Sequence, residues 1–198
     1  ASRHMDVVIA AYSSVAEMKA FRMDVRRRVA EQGRDPDGCK VMFVMAPTLD
    51  ETEEEARERY RRRQEARIAS PETTLAQMAS LTDIDFSCFD LDAPLEELTT
   101  NGQQGTLKQF LAQGRTLREI ARNYRYGLDE LVGTPDSVSG RMAEIMEEVG
   151  GDGFMITGPL TRRYVAEIAD GLVPALQRRG LMRKGYGHAR FRDNLLEF

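Results

Sequence analysis

The sequence predicts an α/β protein built on a parallel sheet, of which this chain holds only a part. Two stretches and one count carry that prediction. Between Gly133 and Tyr186 the pattern reads helix, short apolar strand, helix; between Asp6 and Ala46 it reads strand, helix, strand. Such alternation belongs to parallel sheets and barrels, with right-handed crossovers. The count is of strands, and only three are convincing, near residues 6–11, 40–46 and 153–157. All are apolar runs of the kind buried on both faces, and a sheet made of them needs both faces and both edges covered. A closed eight-stranded barrel takes about 250 residues. The 198 residues here therefore predict a partial sheet, completed by a missing segment, by a second copy or by the chain's own central region.

In chain order, Ala1-Ser2-Arg3-His4 before Met5 reads as an expression scar, so residues 1–5 are set aside. Asp6 to Ala11 is the first strand. Tyr12-Ser13-Ser14 make a loop and an N-cap, and Val15, Met18, Phe21, Val25 and Val29 form one apolar helical stripe, ended by Gly33. After the turn cluster Arg34 to Gly38, Lys40 to Ala46 is a second continuous apolar strand, stopped by Pro47. A helix starting at Thr48 or Asp50 and running to about Ala69 is polar nearly all round. Its glutamates come first and its arginines after, which suits the helix dipole and a solvated outer face better than a phosphate patch. Residues 6–69 thus form two β/α units.

The rhythm breaks over residues 70–132. Short helices are expected after Pro71 (Leu75, Met78, Leu81), around Leu107, Phe110 and Leu111, and after Thr116, where Glu119 completes a capping box. An excursion this long inside an α/β chain is a lid or pocket wall, or else a packing pad. Residues 133–198 resume the pattern. Thr134 caps a helix with Pro135 in its first turn and Val138, Met142, Ile145, Met146 and Val149 as its buried face. Gly150-Gly151 stop it, Phe154-Met155-Ile156 read as a buried strand, and Thr157-Gly158-Pro159 close that strand. The last helix carries Tyr164, Val165, Ile168, Leu172, Val173 and Leu176, with a kink expected at Pro174.

The net charge of -4 gives no basic face for nucleic acid, and no run approaches the roughly 18 apolar residues of a membrane span. Val7-Val8-Ile9-Ala10-Ala11 is too short for a secretory signal. Cys39 and Cys88 are expected to be free buried thiols, consistent with a reducing, cytoplasmic setting.

A series of phrases in fixed order carries a resemblance. They are Gly33-Arg34-Asp35-Pro36; Thr52-x-x-Glu55-Ala56; Asp83-Ile84-Asp85-Phe86-Ser87; Leu91-Asp92-x-Pro94-Leu95; Thr116-Leu117-Arg118-Glu119; Gly133-Thr134-Pro135-x-x-Val138; Asp152-Gly153-Phe154; Val173-Pro174-x-Leu176-Gln177-Arg178-Arg179-Gly180; and Tyr186-Gly187. Together they resemble the back half of a bacterial-luciferase-like flavin-dependent monooxygenase, in the branch of nitrilotriacetate, long-chain alkane and dibenzothiophene-sulfone monooxygenases. The resemblance implies a partial TIM (β/α)8 barrel, about the last three β/α units, with a large helical insertion before the last strand. It further implies reduced FMN from a separate flavin reductase, dioxygen, and a small organic substrate, in an oligomer or with a missing N-terminal half. The family's first strands, which hold most flavin contacts, are absent, and the ending after Tyr186 departs from the usual wording. No FMN ligand carries over, and no catalytic residue is assigned. The alternative is a non-catalytic half-barrel association module completed by self-pairing or by another chain.

Barrel chemistry sits at the C-terminal ends of strands. That rule nominates Tyr12 and Ser13, Met45 and Pro47, and Thr157 and Gly158 as pocket candidates, the glycine because it permits close backbone approach to a ligand. Asp83, Asp85 and Asp92 match no dedicated metal spacing and read as turn caps. His188 reads as a surface tail residue with no catalytic partner, and Gly151-x-Gly153 has the wrong order for a dinucleotide loop.

Overall fold

The computed structural model describes residues 1–125, 128 and 131–197. The elements in chain order are β1 (Val7–Ala10), α1 (Val15–Glu31), β2 (Lys40–Met45), β3 (Thr48–Leu49), α2 (Glu53–Ala69), α3 (Pro71–Thr82), α4 (Gln104–Leu111) and α5 (Leu117–Asn123). They continue with β4 (Val132–Gly133), α6 (Pro135–Val149), β5 (Phe154–Ile156), α7 (Arg162–Ala166), α8 (Val173–Arg178) and α9 (Phe191–Leu196). The chain divides into two compact units, Ala1–Glu58 with Tyr126–Phe198, and Arg59–Arg125. The excursion expected at 70–132 includes Tyr126, Gly127, Asp129 and Glu130, which lie outside the described residues.

The first unit is α/β. Its main sheet is parallel, in the order β1-β2-β5, with Val8 opposite Val41, Ala10 opposite Phe43, and Phe43 in turn opposite Phe154. Alternation along β2 turns Val41, Phe43 and Met45 to one face. There they are buried with Met18, Val25 and Val29 of α1, Val138, Met142 and Ile145 of α6, and Leu172 and Leu176 further on. Each such side chain contributes about 1.5–3 kcal/mol on full burial, so this layer holds the unit together. Helix ends follow their sequence signals. Ser14 accepts the Glu17 N–H, Thr134 accepts the Ser137 N–H, and Gly150 ends α6 in the left-handed conformation at φ 84°.

Several expectations are corrected. β1 and β5 were expected to be buried on both faces, yet they are the sheet's two edges. Their residues on the face away from the helices are open, Ile9 at 54% exposure and Met155 at 42%. Thr48 and Leu49 are not helical; they pair in parallel with Val132 and Gly133 as a second, two-stranded sheet. The helix begins at Glu53 instead, after Thr52 accepts the Glu55 N–H. At Pro174 the final helix widens rather than only kinking. Residues Glu167–Leu172 form a π-helical stretch joining α7 to α8. That wider turn accommodates the proline ring and its missing N–H. Cys39 is buried as expected, but Cys88 is exposed; both are free.

The second unit is helical. α3 packs on α4 and α5, and Phe86, Phe110 and Tyr124 form a cluster of tilted and edge-to-face rings with centroids 5.4 and 5.3 Å apart. Thr116 caps α5 by accepting the Glu119 N–H, while the Glu119 carboxylate accepts from Arg115, one residue before the box would place it. Asp85 caps a turn through the Ser87 N–H and hydroxyl, and Asp83 ends α3 at φ 55°. Asp92 instead takes a bidentate pair from Arg118 at 2.7 and 2.8 Å. As its composition predicts, α2 is largely solvated, with Ala56 its buried residue and Arg57 and Arg61 paired to glutamates one turn away.

Candidate functional site

Three strand ends meet at the C-terminal edge of the main sheet, where a parallel α/β scaffold places chemistry. Tyr12 leaves β1 toward the helix-side core, its ring 5.2 Å from Phe21 and 6.4 Å from Phe43. Burial pushes its hydroxyl pKa up, with Glu17 adding to the effect. Ser13 beside it is exposed. Met45 and Pro47 are both buried, and Met45 lies in the helix-side core because its register matches Phe43 rather than the open face. Thr157 hands its N–H to the Met45 carbonyl at 2.8 Å and accepts the Tyr164 hydroxyl on its own carbonyl at 2.6 Å. A Cβ on Gly158 would stand 2.4 Å from Cζ of the Tyr164 ring. The glycine does allow a close approach, and a tyrosine of the same chain makes it. The six candidates are therefore gathered at one edge, with Ser13 and Gly158 exposed and Met45 and Pro47 inside.

Polar groups the sequence reading did not single out complete that edge. Arg163 reaches Asp50 at 3.0 Å and Glu167 at 2.7 Å. Glu53 lies across the start of α6, accepting the Thr134 N–H at 3.0 Å and the Ser137 hydroxyl at 2.6 Å. Those two bonds, the Ser137 hydroxyl foremost, hold its carboxyl below the ordinary carboxylate value. Gly133 leaves room for it, since a Cβ there would come within 2.8 Å of the carboxylate. Arg163 and Glu167 at i and i+4 were readable in sequence; Asp50, 113 residues from Arg163, was not.

A flavin phosphate needs cations or free backbone N–H groups, best at a helix N-terminus. Here the α6 N-terminus already holds the Glu53 carboxylate, and Arg163 is committed to two acids. The buried Thr48 hydroxyl has no partner among the described residues, but it is one neutral group. The described residues do not make a phosphate cradle by themselves. Among the described residues there is also no group of three or more His, Cys, Asp or Glu poised to hold a metal, and no helix is long and apolar enough to cross a membrane.

At the opposite end of the strands Asp152 is nearly buried. It takes Arg22 at 2.9 Å and the Val41 N–H at 3.1 Å, with Lys40 at 4.0 Å. From there a groove of about 340 Å³ follows β5, walled by Met42, Phe154, Ile156, Ile168 and Leu172 and rimmed by Tyr186.

A parallel sheet with helices packed on one face and loops collected at the strand C-termini is the scaffold of barrel-type α/β enzymes. Residues 1–153 match the luciferase-like monooxygenase family, and the chain belongs to it. It is 32% identical to a pristinamycin IIA synthase chain of Streptomyces pristinaespiralis, over 98% of this chain and 47% of that protein. It is 30% identical to nitrilotriacetate monooxygenase component A of Aminobacter aminovorans, over 98% and 45%. Long-chain alkane and dibenzothiophene-sulfone monooxygenases also match, as the sequence phrases anticipated. A riboflavin lyase crystallised with modified FMN and riboflavin superposes with a TM-score of 0.81 at 24% identity, over all of this chain and 44% of that one, which supports the fold alone. The chain spans about half the length of the relatives it matches.

Proposed function

We propose that this chain is the C-terminal portion of an FMN-dependent, two-component monooxygenase that takes reduced flavin from a separate reductase and uses dioxygen on a small organic substrate. The three strands of its main sheet are then the last three units of a TIM-type barrel, and the stretch 70–132 is an insertion before the final strand. The observation that carries the reading is the match of residues 1–153 to the luciferase-like family, together with relatives 30–32% identical along 98% of the chain. In such an enzyme the flavin supplies the redox chemistry, while the protein orients it and excludes water. Of the six candidates, Ser13 and Gly158 sit at the exposed strand ends and are proposed to face the pocket; Tyr12, Met45, Pro47 and Thr157 form the wall behind them.

Two titrations test this. The chain alone should bind FMN weakly or not at all, as read by quenching of flavin fluorescence, because no phosphate cradle is built from its described residues. A chimera joining it to the unmatched remainder of nitrilotriacetate monooxygenase component A should bind flavin and, with a reductase, consume oxygen. A folded chimera that binds no flavin defeats the reading. Tight binding by the chain alone would move the phosphate site into these residues.

A further inference from the structure

In the helical unit a strap of chain runs between two anchors with almost no bonds of its own. At one end Asp92 accepts from Arg118 at 2.7 and 2.8 Å, and the Leu95 N–H donates to Arg115 O at 2.9 Å. At the other the Thr100 hydroxyl donates to Thr82 O and accepts the Gly102 N–H, while the Gln103 N–H reaches Leu81 O at 3.0 Å. Between these anchors, residues 96–99 form no hydrogen bond or ion pair among the described residues. Backbone left to water in this way opens at little cost. Beside the strap lies a hollow of about 450 Å³ against α4, a volume within the range of small-molecule sites. Gln104, Leu107, Lys108 and Leu111 line it from one face of α4, as their three-and-four spacing requires. Leu98 of the strap joins Leu107 and Leu111 in an apolar wall; Leu107 is buried and the other two are half-buried. Glu97 and Lys108 stand on the rim, exposed and opposite in charge, and neither has an ion-pair partner among the described residues. A hollow on the strap's other side, of about 350 Å³, also borders Glu97 and Leu111 but sets two acids, Glu96 and Glu97, against Arg115. The first hollow balances its charges over an apolar wall, and the second does not.

We infer that the hollow between the strap and α4 binds a small zwitterion with an apolar body, the chemistry of an apolar amino acid. Its carboxylate turns to Lys108, its ammonium to Glu97, and its side chain to Leu98, Leu107 and Leu111. A ligand carrying both charges gives each rim group the partner that the fold withholds. An ion of one sign meets a like charge instead, Glu97 for an anion and Lys108 for a cation, and like charges set together count against a ligand. The strap lifts to admit the ligand and closes over it, carrying Leu98 and Glu97 with it. All the residues involved belong to the helical unit. The site makes no use of flavin, so this inference and the functional reading above can fail independently.

The experiment titrates the methyl-labelled chain with three probes that share one apolar body: L-phenylalanine, 3-phenylpropanoate and 2-phenylethylamine. The first carries both charges, the second only the negative one and the third only the positive one. Followed by NMR, the Leu98, Leu107 and Leu111 methyl shifts should saturate with L-phenylalanine, and each single-charge probe should bind about 5-fold more weakly. Glu97→Gln should erase the preference over 3-phenylpropanoate, and Lys108→Gln the preference over 2-phenylethylamine. Neither substitution should change the circular dichroism, because both side chains are exposed. Absence of a saturable shift at those three methyls overturns the inference, whatever other methyls do. Equal affinity for the three probes overturns it as well, since the rim charges then recognise nothing. Preferences that survive both substitutions do the same, because they would come from groups other than Glu97 and Lys108.

Discussion

At Gly158 the space a side chain would take is filled from within the chain. A glycine after a strand end signals a close approach, and in sequence the approaching group is open to choice. The structure fills the space with Tyr164, whose hydroxyl donates to Thr157 O at 2.6 Å. Gly158→Ala should therefore cost about 1–3 kcal/mol through overpacking. In a double-mutant cycle with Tyr164→Leu the two costs should fall well short of adding, since the smaller side chain removes the collision. Additive costs, measured by urea denaturation, would show that the glycine serves something else. Asp152 belongs to the phrase Asp152-Gly153-Phe154, which by itself gives it no role. Its partners Arg22, Lys40 and Val41 are more than 100 residues away, so no local pattern could reveal the pairing. Asp152→Asn leaves Arg22, whose side chain is 12% exposed, without its counter-charge and should cost about 3 kcal/mol.

At the scale of elements, local signals worked where the cause was local. Ser14, Thr116 and Thr134 cap the helices their wording predicts, and the three main strands fall within a residue or two of their apolar runs. The start of α2 was misplaced although Thr52-x-x-Glu55 is a capping box in plain view. The two-residue pair β3–β4 was illegible, because it depends on Thr48 meeting Val132 across 84 residues of chain. Glu53 belongs to both stories, sitting in the first turn of α2 while capping α6. Its carboxyl is depressed from the ordinary 4.5, first by the Ser137 hydroxyl and then by the Thr134 N–H. A carboxyl depressed on folding adds stability above its unfolded value and loses it as pH falls through the folded one. Glu53→Gln should then cost about 0.5–1 kcal/mol at neutral pH, kept small because the group is partly exposed. The wild-type and variant stability curves should converge as pH drops below the ordinary carboxylate range. A gap that persists in acid would mean that shape, rather than charge, fills the α6 terminus.

For the whole molecule the deciding property is the asymmetry of one sheet. The apolar runs made the strand count and the need for cover legible, but a sequence pattern records what a strand is built to pack against, not what is present beside it. That is why β1 reads as covered on both faces and stands open on one. The two faces should answer mutation very differently. Val41, fully buried against the helices, should lose about 2 kcal/mol on conversion to alanine. Ile9→Ala, on the open face at 54% exposure, should move the urea midpoint of the chain alone by less than about 0.5 kcal/mol equivalent. In the chimera with the remainder of nitrilotriacetate monooxygenase component A, the Ile9→Ala cost should climb to that of a core position, while the Val41→Ala cost stays where it was. If Ile9→Ala is already as costly as Val41→Ala in the chain alone, the face is covered in solution by the chain itself or a second copy, and the reading of this sheet as part of a larger barrel loses its support.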